Sequence, residues 1–364
     1  MGRAAPERLC WPQEAARLGP AGGQYFATHP GQGLARVDAV RKVRKGRVVR
    51  LPRWRDMPGR RPDGHRDHAA MRGQTAQAPV LTPTLAQALN QARALGLARI
   101  DAQLLLLHQL GRADAGRAWL LAHDSDALAP ALHAQFLALC RRRAAGEPVA
   151  YLTGRKEFYG LPLAIDARVL DPRPDTETLV DWALEVIAPL PAPRVLDLGT
   201  GSGAIALALQ RHCPGAWILA IDASADALAV ARANAGRLGL PVQLAQGHWL
   251  SGAPAGFDAI VSNPPYLGAQ DPHLAALAHE PRQALVSGAD GLQDIRSIIG
   301  QAPGHLAAGG WLLLEHGHDQ AAAVHALLSA RGFARVQSRA DLAGIARCSG
   351  GQWNHRGRTE SEGR

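Results

Sequence analysis

No sustained apolar period runs through the first seventy residues, but from Thr82 the pattern becomes regular. Thr82-Pro83 reads as a helix start, with Leu85, Leu89, Ala92 and Leu95 at helical spacing and Gly96 as the stop. A second helical stretch runs from about Asp101 through Leu104 to Leu107, and a third carries Leu132, Phe136 and Leu139 on one face. Together they predict a small all-α domain over residues 80–147, its leucine-rich face forming a core. Residues 148–175 read as connecting strands and turns, punctuated by Gly154, Gly160 and several prolines. A helical pattern resumes over Asp175 to Ile187. Beyond Pro193 short β-rich runs alternate with helical stretches: Val195 to Leu198, Trp217 to Ile221, Val242 to Leu244, Ala259 to Val261 and Trp311 to Glu315. That alternation predicts an α/β fold over residues 176–353, a doubly wound, mostly parallel sheet with helices on both faces.

Charge changes the picture at one end only. The chain has 364 residues, 47% of them apolar, enough for a sizeable core and two domains, and a formal net charge of +9. Residues 1–70 hold 15 Lys and Arg against 6 Asp and Glu, which leaves 25 against 25 for the remainder. The body is therefore neutral. The basic excess belongs to Arg41 through Arg50 and the Arg/Pro/Gly-rich stretch to Arg66. Residues 1–79 are accordingly expected to be a disordered basic extension, the one place where nucleic acid or a ribosome could be engaged. Met71 stands just before the patterned sequence and is a candidate for the true start. Residues 354–364 are expected to be a disordered tail. No apolar run is long enough to span a membrane, and the first thirty residues lack the continuous apolar core of a secretory signal. Cys10, Cys140, Cys213 and Cys348 lie far apart without a CxxC pair, which suggests no zinc site and no disulfide framework and favours the cytoplasm.

Two motifs carry candidate chemistry. Val195 to Leu209 is a strand, a glycine-rich turn and a helix, in which Gly199, Gly201 and Gly203 permit a tight turn and a close approach of backbone to ligand. A dinucleotide site is the competing reading. Against it, the spacing is G-x-G-x-G, no Lys or Arg lies between Val195 and Gln210 to offset phosphate, and Asp197 ends the strand, where a carboxylate suits a cationic ligand. Asp222 closes the next strand, where a carboxylate binds ribose hydroxyls in such folds; a helix N-cap by Asp222 or Ser224 is the alternative. Trp249 follows the third strand and either packs against an adenine or belongs to the core. The second motif is Asn263-Pro264-Pro265-Tyr266, after the apolar run from Phe257 to Ser262. Proline biases Asn263 toward extended angles and fixes the following φ values, so the turn is stiff. The Asn263 side-chain oxygen and the Pro264 carbonyl are two acceptors for both hydrogens of one planar amine, with Tyr266 as a stacking surface.

At these residues the chain resembles the bacterial N5-glutamine methyltransferases of class 1 peptide chain release factors. The resemblance covers roughly residues 83–353. It rests on Glu147 to Gly154, Glu157 to Gly160, Pro172-Arg-Pro-Asp-Thr-Glu177, Asp197 to Gly203, Ser262 to Tyr266, Glu280-Pro281 and Leu314 to Gly317. It implies a seven-stranded class I methyltransferase sheet preceded by a substrate-contacting helical domain. It implies that Asp197, Gly199, Thr200, Gly201, Ser202, Gly203, Asp222, Trp249 and Asn263 bind S-adenosylmethionine, and that Asn263, Pro264, Pro265 and Tyr266 hold the glutamine, with no metal. The implied partner is a release factor, met by a monomer. Two positions depart from the family pattern: His248 stands where an acidic residue is usual, and Asp171 where an apolar one is.

Three alternatives remain on residues alone. The Asn-Pro-Pro-Tyr grip would serve an exocyclic amine of adenine or guanine in DNA or RNA equally well, although the neutral body argues against nucleic acid. A glutamine of a ribosomal protein is a closer rival. A non-catalytic cofactor-binding module is disfavoured by the intact motifs. Gly350-Gly351-Gln352 repeats the tripeptide that the family methylates and is read as coincidence.

Overall fold

The computed structural model describes residues 82–354; the basic extension, Met71 and the tail from residue 355 lie outside the described residues. Five helices come first: α1 (Leu85–Ala94), α2 (Arg99–Gln109), α3 (Gly116–Ala122), α4 (Pro130–Ala144) and α5 (Val149–Thr153). The cap of α1 is Thr84 rather than Thr82. Its hydroxyl accepts from the Gln87 amide while the Gln87 side chain accepts from the Thr84 amide, so two otherwise orphaned donors are satisfied reciprocally. Leu85, Ala88, Leu105, Leu106, Leu120, Phe136 and Cys140 bury together as one apolar cluster, which also takes in Leu152 of α5. The helical core thus continues past the expected boundary at 147, because the short α5 folds back onto it.

A hairpin of β1 (Arg155–Phe158) and β2 (Leu161–Ala164) leads to a 3-10 turn, Pro174–Thr176, and α6 (Glu177–Ile187). The remaining chain is β3 (Arg194–Leu198), α7 (Ala204–His212), β4 (Trp217–Asp222), α8 (Ala225–Leu238), β5 (Gln243–Gln246), β6 (Phe257–Ser262), α9 (Gln293–Gln301), β7 (Leu306–Glu315), α10 (Ala321–Arg331), β8 (Ala334–Ala340) and β9 (Ala346–Gln352). The seven strands from β3 to β9 form one sheet in the order β5-β4-β3-β6-β7-β9-β8. The first five are parallel; β9 inserts antiparallel between β7 and β8. The apolar runs of β3, β4, β6 and β7 are buried on both faces, as a helix-covered parallel sheet requires.

Strand order reverses at β3, whose neighbours are β4 on one side and β6 on the other. The carboxyl ends of β3 and β6 therefore flank a topological switch point, the place where open α/β sheets bind ligands. Both motifs leave the sheet there. Gly350 and Gly351 lie in β9, and a Cβ on Gly350 would stand 2.6 Å from Leu313 Cδ2 and 2.9 Å from the Trp182 ring. Gln352 pairs with Trp311 and donates its amide to the Gly309 carbonyl at 2.8 Å. This Gly-Gly-Gln is a packing solution within the sheet. Among the described residues no helix is long and apolar enough to cross a membrane.

Candidate active site

A cavity of about 330 Å³ opens at the switch point. Of the residues expected to hold a cofactor, Gly199, Gly201, Asp222, Trp249 and Asn263 line it. Gly199 and Gly201 have φ of +68° and +56°, angles that an L side chain reaches only with strain. A Cβ on Gly199 would lie 3.3 Å from the Trp249 ring, so glycine here lets the indole close over the turn. Trp249 is itself left-handed, at φ 50°, and its ring N–H donates to Asp294 Oδ1 at 3.0 Å. It is half-buried at the cavity wall. His248 is exposed at the cavity rim.

Asp222 is held by two backbone amides: Gly201 donates to Oδ2 and Ser224 to Oδ1, both at 2.8 Å. The helix cap of α8 is Ser224, whose hydroxyl accepts from the Ala227 amide. Asp222 is therefore free of the capping role. With one bond accepted at each oxygen, its carboxylate retains acceptor capacity toward the cavity. An aromatic face, a fixed carboxylate and a glycine turn together fit a nucleoside bearing vicinal hydroxyls.

The rest of the glycine run plays a different part. Asp197 is fully buried and does not line the cavity. Its Oδ2 accepts from the Thr200 hydroxyl at 2.7 Å and from the Ala206 amide at 3.2 Å, and Oδ1 has no partner among the described residues. Burial pushes its carboxyl up to about 7, against the pull of those two donors. The expectation that Asp197 faces a cationic ligand gives way to a brace beneath the turn, joining β3 to the start of α7. Thr200 and Ser202 are buried as well, the Ser202 carbonyl accepting from Asn234 at 2.9 Å. Gly203 packs against Leu207 and Ala231, where a Cβ would crowd both.

Asn263 follows β6, and its side-chain nitrogen donates to Thr176 Oγ1 at 3.2 Å. Pro265 lines the same cavity, while Pro264 is buried. Tyr266 stands apart from them, on a second, polar cavity of about 500 Å³ bordered by Asp271, His318, Gln320 and Arg347. Its backbone carbonyl accepts from Gln320 at 2.9 Å. Burial, then the nearby Glu315 carboxylate, raises the pKa of the Tyr266 hydroxyl. Thr176 and Glu315 lie in the segments Pro172–Glu177 and Leu314–Gly317 but carried no assigned role. An acidic residue closing an apolar parallel strand was the available signal, since such ends face ligands.

Asp171, the second unusual position, is buried beside Lys156 and Arg173, with N–O separations of 3.3 and 3.7 Å. Its backbone amide donates to Glu280, which also pairs with Arg173 at 2.5 Å. The polar substitution is thus absorbed in a four-residue charge network joining β1, the segment before α6 and the Glu280-Pro281 loop.

A release factor glutamine methyltransferase from Bordetella pertussis is 53% identical over 260 residues, covering 70% of this chain and 95% of the relative. The chain belongs to the release factor glutamine methyltransferase family. Members from Burkholderia pseudomallei and Salmonella typhimurium are 48% and 43% identical, each over 74% of this chain and 97% of their own length. The methyltransferase small domain matches residues 177–293, and the PrmC N-terminal domain matches residues 84–154, the helical layer. A solved methyltransferase from Pyrococcus furiosus is 18% identical with a TM-score of 0.43, covering 59% of this chain and 98% of its own. Among the described residues, no group of three or more His, Cys, Asp or Glu side chains could hold a metal ion.

Proposed function

We propose that this protein transfers a methyl group from S-adenosylmethionine to the side-chain amide nitrogen of the glutamine in the Gly-Gly-Gln loop of class 1 release factors, acting as a cytoplasmic monomer. The observation that carries this reading is the position of Asn263, on the wall that also holds Asp222 and Trp249, with its nitrogen committed to Thr176. Its oxygen is left to accept from a substrate.

S-adenosylmethionine, when bound, supplies an electrophilic methyl group on a sulfonium. Asp222 would take the ribose hydroxyls, Trp249 the adenine face, and the Gly199 to Gly201 backbone the close approach that the turn permits. The substrate nitrogen is a poor nucleophile, since its lone pair is delocalised; the barrier of roughly 18–20 kcal/mol to amide rotation measures that conjugation. Asn263 Oδ1 and the Pro264 carbonyl accept its two N–H bonds and turn the lone pair toward the methyl group. Positive charge then develops on nitrogen beside two carbonyl dipoles, which stabilises the transition state, and alignment supplies most of the remaining acceleration. The N-methylated amide cation is strongly acidic and gives its proton to water. The helical layer, residues 80–147, is assigned to contact with the release factor.

Incubation with labelled S-adenosylmethionine, a release factor and, separately, total RNA tests the reading. Label is expected on the release factor and to vanish when the loop glutamine is replaced. Label on RNA alone would overturn it.

A further inference from the structure

Asn263 can grip an amine only if its oxygen, not its nitrogen, faces the cavity. The two ends of a side-chain amide are nearly isosteric, so the orientation is set by what surrounds the group. In this protein the surroundings come from two other elements. Thr176 ends the 3-10 turn before α6, and Glu315 ends β7; both are buried, at 3% and 2% exposure. The pairing of Ser262 with Leu314 places Asn263 and Glu315 next to each other, one step beyond the last paired residues of β6 and β7. Thr176 Oγ1 takes a hydrogen from Asn263 Nδ2 at 3.2 Å. Glu315 faces this pair: the side chains of Thr176 and Asn263 each draw its carboxyl pKa down, and its Oε2 has no hydrogen-bond partner among the described residues. Neither Thr176 nor Glu315 lines either cavity beside the Asn-Pro-Pro-Tyr turn; both lie behind Asn263.

Resting on the function proposed above, we infer that Thr176 and Glu315 are positioning residues that fix the Asn263 amide with its nitrogen inward and its oxygen toward the substrate. An ionised carboxylate only accepts hydrogen bonds. It therefore draws the Thr176 hydroxyl hydrogen to itself, which leaves the Thr176 lone pairs for Asn263 Nδ2, and it opposes Asn263 Oδ1 directly. The three side chains thus have one polarity, running from Asn263 through Thr176 to Glu315. The turn that carries Thr176 is anchored in its own right, because Asp175 pairs with Arg347 at 3.3 Å and Arg347 with Asp341 at 3.0 Å.

The polarity fails if Glu315 takes up a proton, since a protonated carboxyl can donate and tolerates the reversed amide. Burial pushes this carboxyl up to about 7, with Asp175 adding to the rise and the Thr176 hydroxyl, Arg347 and Asn263 opposing it. Tyr266 and Cys348 also face it. Lowering the pH through that region is expected to reduce kcat.

The test uses the full chain with a release factor and labelled S-adenosylmethionine, after wild-type transfer to the loop glutamine is established, so that failure of the function and failure of this inference are separable. Thr176→Val keeps the shape and removes the hydroxyl; Thr176→Ser keeps the hydroxyl. We expect Thr176→Val to lower kcat about 10-fold or more, the scale of one hydrogen bond lost at the transition state. The Kd for S-adenosylmethionine, measured by calorimetry, should change less than about twofold, below 0.4 kcal/mol. Thr176→Ser should recover most of the rate. Equal impairment of both variants would assign the loss to packing and overturn the inference, as would a Thr176→Val rate within about twofold of wild type. Glu315→Gln gives an independent arm, because its amide can donate at any pH. Loss of kcat together with loss of the low-pH limb supports the lock, whereas an unchanged rate and an unchanged limb refute it.

Discussion

At the scale of single residues, chemistry at this site separates into groups that face the cavity and groups that hold them. Asn263 belongs to the first: Asn263→Ala is expected to reduce turnover by about 100-fold or more, as for loss of one preorganised polar group at a transition state. S-adenosylmethionine affinity should be largely kept, which equilibrium binding checks. Tyr266 lines the second cavity rather than the one that holds Asn263, so Tyr266→Phe should leave kcat within about threefold, an effect below 1 kcal/mol; a larger fall would assign the hydroxyl a role. Asp197 belongs to the second group. Its folded-state pKa of about 7 stands above the ordinary 3.8, so folding takes up a proton between those values and its contribution to stability falls as pH rises through that window. Asp197→Asn should therefore narrow the gap between urea midpoints measured at about pH 5 and about pH 8. Glycine spacing flagged the turn, but not which of its residues face a ligand. Asp197, Thr200 and Ser202 are turned inward by the path of the chain from β3 into α7, a path that spacing does not encode.

At the scale of elements, the strongest periodicities marked the right elements, and weak ones were lost. The apolar runs of β3, β4, β6 and β7 are plain in sequence because their burial is continuous, whereas on the expected face of α1 Leu85 and Ala92 are buried and Leu95, at the helix end, is exposed. The short α3 and α5 gave no such signal, and β8 and β9 fell beyond the last strand that apolar runs marked. The reason for β9 is visible in its composition. Ala346 to Gln352 has no β-branched residue, and its strand conformation is stabilised by pairing on both edges with β7 and β8. Its two glycines are required by contact: Gly350→Ala would place a Cβ 2.7 Å from the Leu312 carbonyl as well as against Leu313. That substitution is expected to cost about 1–3 kcal/mol, the range for overpacking a filled core, read as a shift in denaturant midpoint.

At the scale of the whole molecule, charge is arranged to join pieces distant in sequence. Glu280 lies 2% exposed in its side chain and ties the Glu280-Pro281 loop, which borders the cavity at Pro281, to Arg173 and to the Asp171 amide. Glu280→Ala leaves Arg173 without that partner and should destabilise by about 2–3 kcal/mol, with a parallel loss of S-adenosylmethionine affinity; chemical unfolding and calorimetry check both. By itself the sequence determined the α/β class, the helical layer before it, the glycine turn and the stiff Asn-Pro-Pro-Tyr turn after a strand, because period, turn chemistry and rigid local geometry are written into neighbouring residues. Only the tertiary structure decided which motif residues reach the cavity, that Gly350-Gly351-Gln352 is a packed strand, and that Thr176 and Glu315 meet behind Asn263. Those facts depend on strand order and register across segments distant in sequence, Thr176 and Asn263 being 87 positions apart, and side chains brought together in that way leave no local pattern to read.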